Sequence, residues 1–330
     1  MAGPIAWSWR NALHGVALSA PAGVAMVVGD PSTALAVGVL PAATLGVTSS
    51  RRQRVAIVLV GGVAAAALLA GSLVADTPAV AVVAVLALCV GVAQLTVDRS
   101  HRLATPTLLL GVPLFGAGLS LPTISAGLSA GALIAVGSLY AFLVSLLWPS
   151  GHVAARPPQP QATRPAMLVY GIQIGLAGAL AAAVGFALGV DHPGWACTAA
   201  LLVSRPDHAA MVARGWGRAV SVIAGALLAC GIAALSPASV VFGALLVVLL
   251  ALGTATAGSR WYVFPFFSTF VVLSLLLIGD TETPAHWFAE RVAMTLLGVG
   301  LALAAASIVP PLVRRISGGR ARPRPSERPN

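Results

Sequence analysis

RPDHAAMVARGWGR, residues 205–218, sets Arg205, Arg214 and Arg218 beside Asp207 and His208 between two long apolar runs. Three roles compete for such a stretch: a nucleic-acid contact, a chemical site, or a signal that orients the chain in a bilayer. The composition around it separates them. The 330 residues are 58% hydrophobic and only 8% charged, with a mean hydropathy of +0.95. A soluble domain carries about 25% charged residues, because its surface faces water. This chain has too few, so its solvent is largely lipid and the sequence predicts a polytopic membrane protein.

The net charge of +10 does not reverse that reading. Every basic residue is arginine, and the arginines fall in short clusters between apolar runs instead of along one helix face. That is the pattern of positive-inside anchors, and nucleic acid is excluded as a partner. Cys89, Cys197 and Cys230 each sit in an apolar run without CxxC spacing, so they read as small buried residues. No metal site and no cofactor are expected. The run after Arg10 continues to Gly29 and more spans follow at once, with no clear A-x-A cleavage site, so it reads as a first, uncleaved span.

Because a bilayer core of ~30 Å takes about 20 helical residues, the chain can be cut at its charges. The first half yields apolar runs near 11–29, 32–48, 55–75, 78–97, 103–119 and 125–148. The second yields 167–190, 193–204, 219–235, 237–256, 261–278 and 288–312. None alternates with period two, which excludes barrel strands, so the fold class is all-α with about twelve transmembrane helices. The expected organisation is a first six-helix repeat over 1–148, a Pro- and Gln-rich cytoplasmic linker over 149–165, a second repeat over 166–313, and a basic disordered tail over 314–330.

Two sequence patterns support that organisation. With the N-terminus inside, the inner segments collect all the arginines but Arg291, while Asp30, Asp76, Asp191, Asp280, Glu282 and Glu290 fall outside. Both termini are therefore expected in the cytoplasm, in a multi-pass protein of the plasma membrane. Spacings also recur at an offset of about 160 residues: Arg54 precedes Gly61 as Arg218 precedes Gly225, and Gly137 precedes Pro149 as Gly298 precedes Pro310. Six helices per copy is an even number, so the copies would run parallel about an axis along the membrane normal. Gly127-x-x-x-Gly131 and Gly171-x-x-x-Gly175 are candidates for close helix approach between them.

The run at 193–204 is too short, at ~18 Å of helix. Either the segment 205–218 continues into the membrane or the chain breaks and re-enters, and both options bring Arg205, Arg214 or Arg218 toward a buried route. The competing explanation is a cytoplasmic loop sorted by its charge alone. Arg291 breaks the topology rule, which makes it a pathway candidate; Thr295 and Gly298 share its helix face. Its structural alternative is a pair with Glu290, Glu282 or Asp280. Trp195 reads either as an interfacial belt residue or as an aromatic wall at a pathway mouth. His14 reads as a packing neighbour.

Two stretches, HPGWACTAALLVSRPD (192–207) and ARGWGRAVSVIAGALL (213–228), resemble the fusaric acid resistance, or aromatic acid exporter, family of membrane transporters. That family's motif has a Trp-led short span ending near a proline, an Arg-rich turn, and then Arg-x-x-Gly-Thr-x-x-Gly. Arg218 and Gly225 match its ends, while Ser221 and Val222 replace the inner Gly and Thr. Arg291-x-x-x-Thr295-x-x-Gly298 is similar to the family's closing helix. The resemblance covers residues 165–313 and fades over the first half, where Ala130 stands in the place of Arg291. It implies six-helix units and export of carboxylate-bearing aromatics. The distantly similar aluminium-activated malate transporters of plants are anion channels. Many members carry large cytoplasmic domains, where this sequence has RRISGGRARPRPSERPN.

The expectation is therefore a non-enzymatic transporter of organic anions, with a passive anion channel or a non-transporting membrane scaffold as alternatives. No HExxH, DDxxD or GxSxG motif favours catalysis. The expected partners are the bilayer and a small organic anion; a homo-oligomer is neither required nor excluded. Proton coupling, were it to operate, would fall to Glu290, Asp191 or Asp30.

Overall fold

A computed structural model describes residues 5–28, 34–47, 50–98, 100–101, 103–121, 123–150, 162–257, 259, 263–279 and 283–318. Asp30, Arg260, Asp280 and Glu282 lie outside the described residues, as do residues 151–161 of the linker and 319–330 of the tail.

Twelve helices run through the described residues, which contain no β-strand. In the first half they are α1 (Trp9–Val28), α2 (Ala34–Leu45), α3 (Arg51–Val74), α4 (Pro78–Leu95), α5 (Ala104–Gly118) and α6 (Ile124–Ser145). In the second they are α7 (Arg164–Leu188), α8 (Gly194–Val203), α9 (His208–Ala234), α10 (Ser239–Ala255), α11 (Phe264–Gly279) and α12 (Pro284–Gly318). Helix α5 opens with a π-helical turn at Thr107–Gly111, just after Pro106, which cannot donate a backbone hydrogen bond.

Short polar signals start and stop these apolar runs. The side chains of Thr123 and Asp207 accept hydrogen bonds from the N–H groups of Ala126 (3.1 Å) and Ala210 (2.7 Å), capping α6 and α9. Helix α7 ends on Gly189, whose φ of +62° costs little only without a Cβ. The Asp207 cap decides between the alternatives for this stretch: the chain breaks at residues 204–207, and residues 208–218 open α9, so Arg214 and Arg218 enter the bundle on consecutive turns.

Seven helices (α1, α3, α4, α6, α7, α9 and α12) are long and apolar enough to cross a bilayer, while α2, α5, α8, α10 and α11 are apolar but shorter. The outer surface carries exposed Val and Leu side chains, among them Val83, Val136, Leu227 and Val248. Water would not tolerate that surface; lipid does. The chain is a multi-pass membrane protein.

Packing is dominated by α1 against α10, α4 against α7, and α3 against α5 and α6. Helix α9 lies on α11 and α12, while α8 is held by α7, α12 and, from the first half, α5. Glycines mark the closest approaches. A Cβ on Gly137 would strike the Gly38 carbonyl where α6 crosses α2, and one on Gly298 would strike the Ala196 carbonyl where α12 crosses α8. Gly171 and Gly175 bring α7 onto Val90, Leu86 and Cys89 of α4, joining the two halves. Gly127 and Gly131 instead meet Ser72 and Ala65 of α3, within the first half, which corrects the expectation of an inter-half contact there. Cys89 and Cys197 are buried free thiols, and Cys230 donates to the Pro284 carbonyl (3.2 Å).

Candidate functional site: two arginines on an inter-half cavity

Helix α8 is short, ten residues, and nearly all of them are buried. Gly189 ends α7, and the turn through Asp191 and His192 leads into α8 with its first N–H, that of Gly194, donating to the Ser120 hydroxyl after α5 (3.0 Å). The Thr198 hydroxyl donates to the Pro113 carbonyl of α5 (3.1 Å), where Gly116 leaves room for Cys197 and Thr198. The first half thus supplies the groove in which α8 sits.

This arrangement leaves a cavity of about 340 Å³ between the halves. The first half lines it with apolar side chains such as Leu40 of α2, Leu114 of α5 and Ile134 of α6. The second half adds Trp195, Phe264 and two charges, Arg218 from α9 and Arg291 from α12. Arg218 is 6% exposed and Arg291 8%. Among the described residues neither guanidinium makes a hydrogen bond or an ion pair, and the Nε of each is buried without an acceptor. Glu290 does not pair with its neighbour Arg291, as the helical offset of adjacent residues requires.

Aromatic rings occupy the space beside the charges. The Arg291 Cζ stands 4.7 Å from the centroid of the Trp195 ring, a cation–π contact. The other side of the cluster is His192, stacked on Trp195 at 4.1 Å with 14° between planes, and Trp287 meets His192 edge-on at 5.0 Å. Trp195 is buried in this stack, the position of a wall residue and not of a membrane-surface belt.

The other nominated residues lie elsewhere. The Thr295 hydroxyl is buried and donates back to the Arg291 carbonyl (2.8 Å), so it does not face the cavity. Arg205 and Arg214 gather at the opposite end of the bundle near Tyr170, where Arg205 donates to the Ser204 carbonyl. The Tyr170 hydroxyl donates to the same carbonyl at 3.1 Å. His14 is fully buried edge-on to Trp148 at 5.0 Å, a packing neighbour.

Glu290 and Asp191 do come together, in a cluster not anticipated from sequence. The His192 backbone N–H donates to Glu290 Oε1 (2.7 Å), while His286 Nε2 lies 2.7 Å from Asp191 Oδ2 and 3.6 Å from Glu290 Oε2. The available signal was His286-x-x-x-Glu290, one helical turn that sets both side chains on one face.

No curated protein and no solved structure matches the chain. Residues 180–305 match the family model described as fusaric acid resistance protein-like, so the resemblance read in α8, α9 and α12 is borne out over the segment that supplies Trp195, Arg218, Glu290 and Arg291 to the site.

Proposed function

We propose that the protein carries organic anions, aromatic carboxylates foremost, outward across the plasma membrane through the cavity between its halves. The observation that carries this reading is the pair of buried guanidiniums, Arg218 and Arg291, facing one cavity without an acceptor. Arginine does not shed its proton in proteins. A buried, unpaired ion costs several kcal/mol, and an anion entering the cavity recovers much of that. The volume falls at the lower end of the ~300–1,000 Å³ common for small-molecule sites. Trp195, His192 and Phe264 line the cavity beside the charges, and an aromatic ring can meet their edges there.

The same reading takes residues 1–148 and 166–313 as parallel six-helix repeats joined by the linker 149–165, with both termini cytoplasmic and the basic tail 314–330 near anionic headgroups. Packing supports it: α1 on α10 has its counterpart in α7 on α4, α2 on α6 in α8 on α12, and α3 on α5 in α9 on α11. Helix ends support the topology. Arg10 and Arg54 both reach the Pro149 carbonyl at one end of the bundle, and Asp191, His286 and Glu290 lie at the other.

Purified protein in liposomes loaded with a fluorescent aromatic carboxylate tests the proposal. Wild-type protein is expected to release the dye, and Arg218→Met or Arg291→Met to lower the rate tenfold or more. Absence of flux from the wild type, under both a pH gradient and a membrane voltage, would leave the scaffold reading in its place. Flux driven by voltage alone identifies a channel. Flux under a pH gradient that survives Glu290→Gln, Asp191→Asn and Asp30→Asn removes those acids as proton carriers.

A further inference from the structure

The cluster at the acidic end of the bundle has a chemistry that the attraction of an anion by Arg218 and Arg291 does not use. Asp191 sits on the α7–α8 turn, and His286 and Glu290 stand one turn apart at the start of α12. One donor atom from each lies within 4.8 Å of the other two. Glu290 forms the floor: its side chain is only 6% exposed, with Oε1 held by the His192 N–H and Oε2 buried without a hydrogen bond. His286 and Asp191 form the rim, with side chains 40% and 55% exposed, so an ion has a way in from solvent.

We infer that Asp191, His286 and Glu290 form a binding site for a divalent transition metal of the zinc class. A proton accounts for part of the geometry, since it satisfies His286 and Asp191 at 2.7 Å, but it leaves Glu290 Oε2 at 3.6 Å from the ring, beyond hydrogen-bond reach. A tetrahedral zinc ion with ligands at about 2.0–2.2 Å sets its donor atoms about 3.4 Å apart. The two His286 separations bracket that spacing and the two carboxylates lie within 4.8 Å of each other, so side-chain rotation can converge all three donors on one point. One imidazole with two carboxylates suits zinc or its neighbours better than calcium or magnesium, which prefer oxygen alone. A fourth position stays open on the exposed side, for water. The His192 N–H, by fixing Oε1, orients the buried carboxylate in the manner of outer-shell partners at metal sites. Bound there, the ion ties the α7–α8 turn to α12 one residue from Arg291.

The test is independent of any flux. Full-length protein, freed of its purification tag and stripped with chelator, is titrated with Zn²⁺ by equilibrium dialysis and with Co²⁺ by visible absorption. About one ion per chain is expected, with the intense Co²⁺ bands of four-coordinate geometry and a melting temperature raised by Zn²⁺. Glu290→Gln and His286→Ala are each expected to weaken binding tenfold or more and to abolish the thermal shift. Glu290→Gln keeps an acceptor for the His192 N–H, so its fold is retained, and Asp191→Asn at the exposed rim serves should His286→Ala fail to fold. Wild-type protein that takes up no ion, or that binds as before in Glu290→Gln and Asp191→Asn, overturns the site and leaves a proton-sharing cluster only.

Discussion

Arg54 and Arg218 each precede a glycine by seven residues within a long helix, and both are buried, yet they do different work. Arg54 Nη1 donates to the carbonyls of Ser145 (2.6 Å) and Trp148 (2.8 Å), and Nη2 to that of Pro149 (3.0 Å). Ser145 is the last residue of α6 and Trp148 and Pro149 follow it, so one guanidinium gathers the chain as it leaves the helix. The Arg54 charge is consumed by the fold. Arg218 faces a cavity and has no acceptor among the described residues. Burial of an arginine therefore diagnoses nothing in a membrane protein until its acceptors are counted.

The largest expected effect breaks that comparison on the structural side. Arg54→Ala removes three charge-assisted hydrogen bonds, each worth about 1.5–3 kcal/mol. The Ser145 carbonyl keeps the Trp148 N–H and that of Pro149 keeps Arg10, and the loss should still come to about 3 kcal/mol or more in all. Thermal unfolding in detergent is expected to show a large drop, with loss of monodisperse protein. Arg218→Met should do the opposite. Exchanging an uncompensated buried charge for an apolar side chain of similar length is neutral or stabilising by about 1–4 kcal/mol, so its melting temperature should hold or rise while flux is lost. If Arg54→Ala melts like the wild type and Arg218→Met collapses, the assignment of the two arginines is inverted.

The proposed repeat offers a second comparison with a somewhat smaller effect. Gly137 and Gly298 occupy matching crossings, α6 on α2 and α12 on α8, and a Cβ at either meets backbone, which cannot rotate away. Gly137→Ala and Gly298→Ala should each cost about 1–3 kcal/mol through forced helix separation, read as paired drops in melting temperature. Gly298→Ala should in addition slow flux, because α8 and α12 carry Trp195 and Arg291 on the cavity. A Gly298→Ala protein with normal stability and normal flux would remove the α8–α12 crossing from the site's support.

The helices were legible in the sequence to the extent that lipid dictates them. Ten of the twelve apolar runs match a helix to within a few residues at both ends, because an uninterrupted run of Ala, Leu and Val has no other stable state in a bilayer. The start of α9 was not legible by that criterion. Residues 208–218 carry two arginines and two glycines among their apolar positions, and only the Asp207 cap and the Arg214, Arg218 spacing of one turn betray a helix. Helix α12 likewise begins before the apolar run, with His286 and Glu290 in its first turns, and runs on through Pro310 and Pro311 to end at Gly318, beyond the run. At the site, single residues could be nominated but their meeting could not be read. Arg218, Arg291 and Trp195 share a cavity because α5 of the other half holds α8 in place, a contact without any local signature. His192 and His286 escaped notice because each looks like a loop-end histidine until the α7–α8 turn and α12 are laid together.

Thr295 gives the smallest expected effect and the sharpest check on which face of α12 matters. It follows Arg291 by one turn, and sequence alone groups the two as a single polar stripe. Their side chains are nevertheless engaged differently: the Thr295 hydroxyl returns to the Arg291 carbonyl at 2.8 Å, 1% exposed, while the guanidinium lies over Trp195. That carbonyl already belongs to the helix ladder, so the hydroxyl only shares an acceptor in use, a bond that adds little to helix stability. Thr295→Val keeps the shape and removes the donor. The melting temperature should shift by the equivalent of less than about 1 kcal/mol, and carboxylate flux should stay within twofold of the wild type. A tenfold loss of flux at unchanged stability would mean that the hydroxyl turns toward the route during transport, and the polar stripe would then have to be read as a working unit with Arg291.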